Sequence, residues 1–418
     1  MNIVIEKAAP RGRIAAIPAK AAAHRALIAA ALSGATVDVR IGGMELSQDI
    51  TATMRCLEQL GTKIAAAGDG VFRVSPAPLP SRPALDCGES GSTLRFLLPV
   101  AAALGANAHL TGCGRLPERP LADLIETLRK HNITFTGTRI PFDICGKLAG
   151  GRFELPGNVS SQYVSGLLFA LYAADMPGEI ALTTKLESSR YVDMTVAVLR
   201  KFGARIEKTG DSFAYLGRSG KVPETLAVEG DWSNAAAFLV CGALNGEVTV
   251  TGLDADSLQP DRAIVEILRK FGAKVSTDGG AVTAAPGVPR PATVDVSETP
   301  DLLPVLAVLA AGSPGKSHFV NAARLRLKES DRLRSTAELL RSIGVDVAES
   351  PDALEITGGG PVRGGSVESF NDHRLVMAAT AAAALGALPL TIVNAEAIRK
   401  SQPDFFAVCE NLGMKIEH

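Results

Sequence analysis

Lys328 opens the run KESDRLR, five of whose seven side chains ionise. Cations and carboxylates interleaved this closely suit two jobs. Lysine and arginine grip phosphate or carboxylate groups, arginine by a two-pronged fork and lysine as a point charge. Carboxylates beside them move protons, with pKa values set by the neighbouring cations. The competing reading is a solvated first turn of a helix, the usual fate of a charge run. Similar polar groups recur along the chain: Lys20 to Arg25, Glu89 to Arg95, Ser160 to Gln162, Asp231 to Asn234, Thr299 to Asp301 and Asn371 to Arg374. Each stands before a long apolar run, so the charges of KESDRLR read as one of a set that lines a binding surface.

The elements that position these groups follow from a repeat. Six segments share one shape: LEQLGTKI, LRKHNITF, LRKFGARI, LRKFGAKV, LRSIGVDV and CENLGMKI. Each reads as a helix end, a stop and a strand. The stops are Gly61, Asn132, Gly203, Gly272, Gly344 and Gly413, spaced by 71, 71, 69, 72 and 69 residues. Glycine and asparagine are the residues that accept the left-handed position after a helix. A period sustained over the whole chain implies six copies of one supersecondary unit. Each copy also holds an Ala-rich helix that is apolar on nearly every face, such as STLRFLLPVAAALG, and is therefore buried. The LRKFG-type helices are amphipathic and lie outside. Three α/β units in each of two domains is the simplest division of six. The polar groups sit at the starts of the buried helices, where free N–H groups and the positive dipole end favour anions. Ser92, Ser160, Asn371 and Thr299 with Pro300 are the expected caps. The segment RLRLK before Glu329 reads as a strand leading into a helix.

Composition narrows the partners. Over 418 residues, 43 Lys and Arg balance 44 Asp and Glu, so no global field collects nucleic acid or an anionic membrane. The six cysteines are scattered without zinc-ligand spacing, which fits a reducing cytoplasm. No stretch reads as a secretory signal or a membrane span.

GESGSTLRF, LPERPL, GNVSSQY, KESDRL, FNDHRLVMA and KSQPDFF, in this order, resemble the 5-enolpyruvylshikimate-3-phosphate synthase family of enolpyruvyl transferases, from about residue 17 to about 413. The resemblance implies two domains, each of three βαβαββ units, with the active site in the cleft between them. It places the first strand with the C-terminal part, so one domain comprises residues 1–19 plus 230–418 and the other residues 20–229. It implies a monomeric cytoplasmic enzyme that joins phosphoenolpyruvate to the 5-hydroxyl of shikimate 3-phosphate and releases phosphate, with no metal or organic cofactor and only small-molecule partners. Carried over by motif, Lys20, Ala21, Arg25, Ser160, Ser161 and Ser188 hold shikimate 3-phosphate, and Gln162 lies between the substrates. Gly91, Arg119, Arg332, Arg374 and Lys400 hold phosphoenolpyruvate. Asp301 accepts the proton of the attacking hydroxyl, Lys328 binds and orients beside it, and Glu329 serves proton transfer at the methylene carbon. His24 and His373, next to key arginines, read as orienting or packing residues, and Trp232 as a core or hinge aromatic.

Two departures from the family pattern stand out. The chain reads Ala19-Lys20-Ala21 where the family has Ser-Lys-Ser, which removes a hydroxyl from the substrate phosphate. Cys113, in TGCGRLPERP, stands where the family more often has an acid. A sister enzyme, UDP-N-acetylglucosamine enolpyruvyl transferase, uses a loop cysteine, so that activity and a non-catalytic anion-binding relative are the alternatives.

Overall fold

A computed structural model describes residues 1–42, 45–386 and 388–418. The chain forms two compact units, one of Met1–Ala19 with Glu229–His418 and one of Lys20–Val228. Each builds three four-stranded sheets, and all six share one strand order, a parallel edge pair followed by two antiparallel pairs. In the plainest copy, Ala84–Asp86 and His109–Thr111 pair in parallel, and Phe142–Cys145 joins antiparallel to His109–Thr111 and to Thr134–Phe135. Parallel neighbours need a crossover. Here it is the buried helix Gly91–Leu104, and the amphipathic helix Ala122–Lys130 leads on to the hairpin. That is a βαβαββ unit.

The helix chemistry separates as the apolar pattern requires. All nine residues of Leu303–Ala311 are buried, as are twelve of fourteen in Gly91–Leu104, whereas Ser189–Lys201 buries five of thirteen. The six stop residues, Gly61, Asn132, Gly203, Gly272, Gly344 and Gly413, all have positive φ, between 75° and 89°. Strands from distant parts of the chain complete some of these sheets. Ile3–Lys7 pairs antiparallel with Leu390–Val393 and Lys415–Glu417, and Thr225–Ala227 pairs in parallel with Val37–Arg40.

Close helix packing sets the spacing of two site elements in the Lys20–Val228 unit. A Cβ at Gly166 would lie 2.2 Å from the carbonyl oxygen of Arg95. Only glycine lets the Ser161–Ala174 helix approach Gly91–Leu104 this closely, which brings Gln162 beside Ser92.

The chain departs from its local pattern in four places. RLRL alternates like a strand, yet Ala323–Leu327 is a 3-10 helix. The strand Gly315–Val320 ends at Asn321, which has φ 60°, and Arg326 is tied to the carbonyls of Ser350 and Pro351, so tertiary bonds override the alternation. The caps of two buried helices are Ser90 and Asp372 instead of Ser92 and Asn371; Asn371 itself takes φ 54°. Thr299 precedes a 3-10 turn, Pro300–Leu302, and makes no side-chain cap bond.

Candidate functional site

In the Lys20–Val228 unit the polar residues gather at the starts of buried helices. Lys20 is the first residue of Lys20–Leu32, and its Nζ lies 2.9 Å from Oδ2 of Asp49 in the first turn of Gln48–Gln59. Arg25 is buried and donates to Thr195 Oγ1 (2.8 Å), the Tyr191 carbonyl (2.9 Å) and the Ala21 carbonyl (2.7 Å). Burial pulls its guanidinium down to about 10. These bonds tie the Lys20 helix to Ser189–Lys201, whose cap position is Ser188, buried and at φ 53°. Ala21, lacking a hydroxyl, offers a ligand only its backbone.

The start of Gly91–Leu104 is an anion cradle in its chemistry. Ser90 caps the helix by accepting from the Thr93 N–H. A Cβ at Gly91 would stand 2.6 Å from Arg95 Nη1 and 2.7 Å from Arg119 Nη1, so two guanidiniums occupy the space that a side chain would fill. Free N–H groups, the positive dipole end and two arginine forks converge there. Gln162 is fixed beside it, donating from Nε2 to Ser92 Oγ (2.8 Å) and accepting from Arg95 Nη1 (3.1 Å). Arg95 Nη2 (3.0 Å) and the Tyr163 hydroxyl (2.7 Å) both hold the Pro120 carbonyl, which anchors the Arg119 loop. Ser160 caps Ser161–Ala174 by accepting from the Gln162 N–H, and Ser161 is buried in its first turn.

In the other unit, Arg332 is the hub. It is 1% exposed and reaches three carboxylates: Asp372 Oδ2 from Nε (2.8 Å), Asp301 Oδ1 from Nη1 (2.7 Å) and Glu329 Oε2 from Nη2 (2.8 Å). Burial alone would lower its pKa, but Asp372, Glu329 and Asp301 drive it well above the ordinary arginine value. Asp301 also faces Lys328 Nζ and Arg374 Nη2, each at 3.5 Å. Burial works to raise the Asp301 carboxyl, yet Lys328, Arg332 and Arg374 together hold it well below the usual carboxylate range. Lys328 is lowered, chiefly by burial. Arg374 Nη1 donates to Asn234 Oδ1 (3.0 Å), and Lys400 Nζ to the Asn371 carbonyl (2.6 Å).

KESDRLR is therefore a junction of this hub rather than a solvated turn. Asp331 caps Arg332–Ser342 and pairs with Arg326, Ser330 donates to Asp372, and Arg332 lies at the first helical position. Only Arg334, paired with Glu338, faces solvent.

Type and spacing give several participants no role of their own. Asp372 sits inside the NDHR motif, where it caps the helix and takes both Arg332 and Ser330. Asp49 and Asn234 bond residues 29 and 140 positions away, a separation that no local pattern reports. Asp261 is fully buried, hydrogen-bonded by Ser233, and pushed up to about 7 by burial and then by the Asp301 charge. Trp232 is buried and donates from Nε1 to the Asp254 carbonyl, a packing role. Cys113 is exposed, with its backbone N–H bonded to the Gly88 carbonyl.

Comparison with known proteins bears on this arrangement. The family model of EPSP synthase (3-phosphoshikimate 1-carboxyvinyltransferase) matches residues 6–409. A 3-phosphoshikimate 1-carboxyvinyltransferase of Clostridium kluyveri is 40% identical over 411 residues, covering 97% of this chain and 96% of the relative. One from Methanocorpusculum labreanum is 35% identical over 421 residues, covering 99% of each. The solved EPSP synthase of Acinetobacter baumannii superposes with a TM-score of 0.80 at 26% identity, over 100% of this chain and 99% of that one. The enolpyruvyl transferase NikO from Streptomyces tendae, at 20% identity, shares the fold, with a TM-score of 0.78 over 100% and 98% of the two chains.

Proposed function

The chain belongs to the EPSP synthase (3-phosphoshikimate 1-carboxyvinyltransferase) family, and from that premise we propose that it transfers the enolpyruvyl group of phosphoenolpyruvate to the 5-hydroxyl of shikimate 3-phosphate and releases phosphate. The observation that carries the reading is the Asp301 carboxylate, held ionised by Lys328, Arg332 and Arg374 in a chain whose family performs this transfer. It works as a monomer in the cytoplasm, a compartment that suits the six free cysteines.

Each unit contributes part of the machinery. Lys20, Arg25, Ser160, Ser161, Ser188 and the backbone at Ala21 hold shikimate 3-phosphate, and Gln162 contacts both substrates. Arg119 and the N–H groups at Gly91, together with Arg332, Arg374 and Lys400, take the anionic groups of phosphoenolpyruvate. Asp301 accepts the proton of the 5-hydroxyl as its oxygen bonds to C2 of phosphoenolpyruvate, while the Glu329 carboxyl supplies a proton to C3. The resulting tetrahedral adduct collapses when a proton leaves C3 and the C2–O bond to phosphate breaks. Fixed cations stabilise the charge on both the adduct and the departing phosphate.

The ion pairs explain how Asp301 can act as a base despite its low pKa. Lys328, Arg332 and Arg374 lean on Asp301 and suppress its basicity. An anionic substrate competes for those guanidiniums, and each cation neutralised by substrate lets the Asp301 pKa rise toward a value useful for proton transfer.

Cys113 is the residue that raises the sister reaction as an alternative, which the family match and the relatives do not favour. The deciding experiment is phosphate release from phosphoenolpyruvate with either shikimate 3-phosphate or UDP-N-acetylglucosamine, using wild type and Cys113→Ala. Phosphate is expected with shikimate 3-phosphate alone, at an unchanged rate in the variant. Release only with the nucleotide sugar, abolished by the substitution, assigns the sister activity, and no release with either assigns a binding protein.

A further inference from the structure

Beneath the Gly91 cradle runs a chain of hydrogen bonds within the Lys20–Val228 unit. His24 Nδ1 lies 2.7 Å from Thr53 Oγ1, Thr53 Oγ1 lies 2.6 Å from Thr93 Oγ1, and the Thr93 hydroxyl donates to Ser90 Oγ at 2.7 Å. All four side chains are buried. The chain links three helices, beginning beside Lys20 and Arg25 and ending at the cap of Gly91–Leu104.

The bonds have a direction. A hydroxyl carries one proton, and Thr93 gives its proton to Ser90. Thr93 must therefore accept from Thr53, and Thr53, having given its own proton, must accept from His24. His24 then carries its hydrogen on Nδ1, which leaves Nε2 a bare lone pair, and Nε2 is indeed buried without a hydrogen-bond partner. Burial, reinforced by the charges of Lys20 and Arg25, lowers His24 to about 3, so the ring is neutral and has a single N–H to commit. At the far end, Ser90 Oγ accepts twice, from the Thr93 hydroxyl and the Thr93 N–H. Its own proton has no acceptor among the described residues. The opposite tautomer would reverse every link and turn the Ser90 proton inward to Thr93.

We propose that His24 is a positioning residue, acting through Thr53 and Thr93 to keep the Ser90 hydroxyl available as a donor to a phosphate oxygen of phosphoenolpyruvate at the start of the Gly91–Leu104 helix. The identity of that phosphate rests on the function proposed above. The physical requirement is general: a site that binds an anion gains from donors fixed before the ligand arrives, because no reorganisation is then needed.

The test exploits the fact that valine matches threonine in shape and serine matches it in hydrogen bonding. With shikimate 3-phosphate saturating, Thr53→Val is expected to raise KM for phosphoenolpyruvate roughly tenfold, the effect of losing one hydrogen bond to a charged group, with kcat little changed. Thr53→Ser is expected to restore it. A packing role predicts the reverse order, with Val harmless and Ser damaging, and that result overturns the proposal. His24→Leu and His24→Asn form a second pair, read the same way, since asparagine can donate from near the Nδ1 position. If wild type turns over no acceptor, the proposed function fails and the chain is judged by calorimetric binding of inorganic phosphate. Weakening in Thr53→Val but not Thr53→Ser then supports the positioning role, and equal binding in all three overturns it.

Discussion

Asp301→Asn is expected to lower kcat by roughly 10²- to 10⁴-fold, the range that a positioned general base contributes, while leaving KM for phosphoenolpyruvate no higher than in wild type. Asparagine keeps the shape and a carbonyl that Lys328 and Arg332 can still meet, but it cannot accept the proton of the attacking hydroxyl. It also removes a negative charge that Arg332 and Arg374 face at 2.7 and 3.5 Å. Those guanidiniums then lose one internal competitor for an anionic substrate, so ground-state binding should hold or tighten as turnover collapses. Steady-state kinetics with each substrate varied in turn separates the two parameters. A raised KM at preserved kcat would show that Asp301 serves binding alone.

Arg332→Ala should be the most destabilising single substitution in this cluster. Arg332 is 1% exposed, and the Asp372 side chain that it meets is 0% exposed. Removing the guanidinium leaves Asp372 with its neutral Ser330 and helix-cap donors and His373 Nδ1 at 3.8 Å, and takes a partner from Asp301 and Glu329. Breaking a buried pair from one side costs about 3 to 5 kcal/mol, read as a lower midpoint in urea unfolding. Arg332→Lys restores a charge but not a planar fork able to span three carboxylates, so it should fall between the two. Unfolding of Arg332→Ala at the wild-type midpoint would mean that the carboxylates do not depend on this residue.

The contrast between these two substitutions explains what could be read from the amino-acid sequence. The six stops were legible because the demand at each is local: a chain leaving a helix through a left-handed residue needs glycine or asparagine, whatever packs around it. The buried helices were legible for a similar reason, since Leu303–Ala311 has no polar face to offer solvent. That the polar groups stand at helix starts was visible in their order along the chain. What they bond to was not. Asp49 meets Lys20 across 29 residues and Asp372 meets Arg332 across 40, and such pairings depend on how helices are stacked. The same limit applies to Ala323–Leu327, where the carbonyls of Ser350 and Pro351 draw Arg326 out of the strand that its alternation suggests. The His24 to Ser90 chain is a further case, for Thr53 is an unremarkable helix residue until Thr93 is seen beside it.

The addition and elimination steps leave a trace in the product, and this gives the most direct measurement of the whole account. In the adduct, C3 of the former phosphoenolpyruvate is a methyl group that has gained one proton from the protein and later loses one. Turnover of phosphoenolpyruvate and shikimate 3-phosphate in deuterium oxide, followed by mass spectrometry of the product, should show the shikimate phosphate joined to an enolpyruvyl group with deuterium in its methylene, and phosphate released in equal amount. Recovery of unaltered shikimate 3-phosphate, phosphate formed without carbon transfer, or a methylene free of deuterium would each contradict the mechanism.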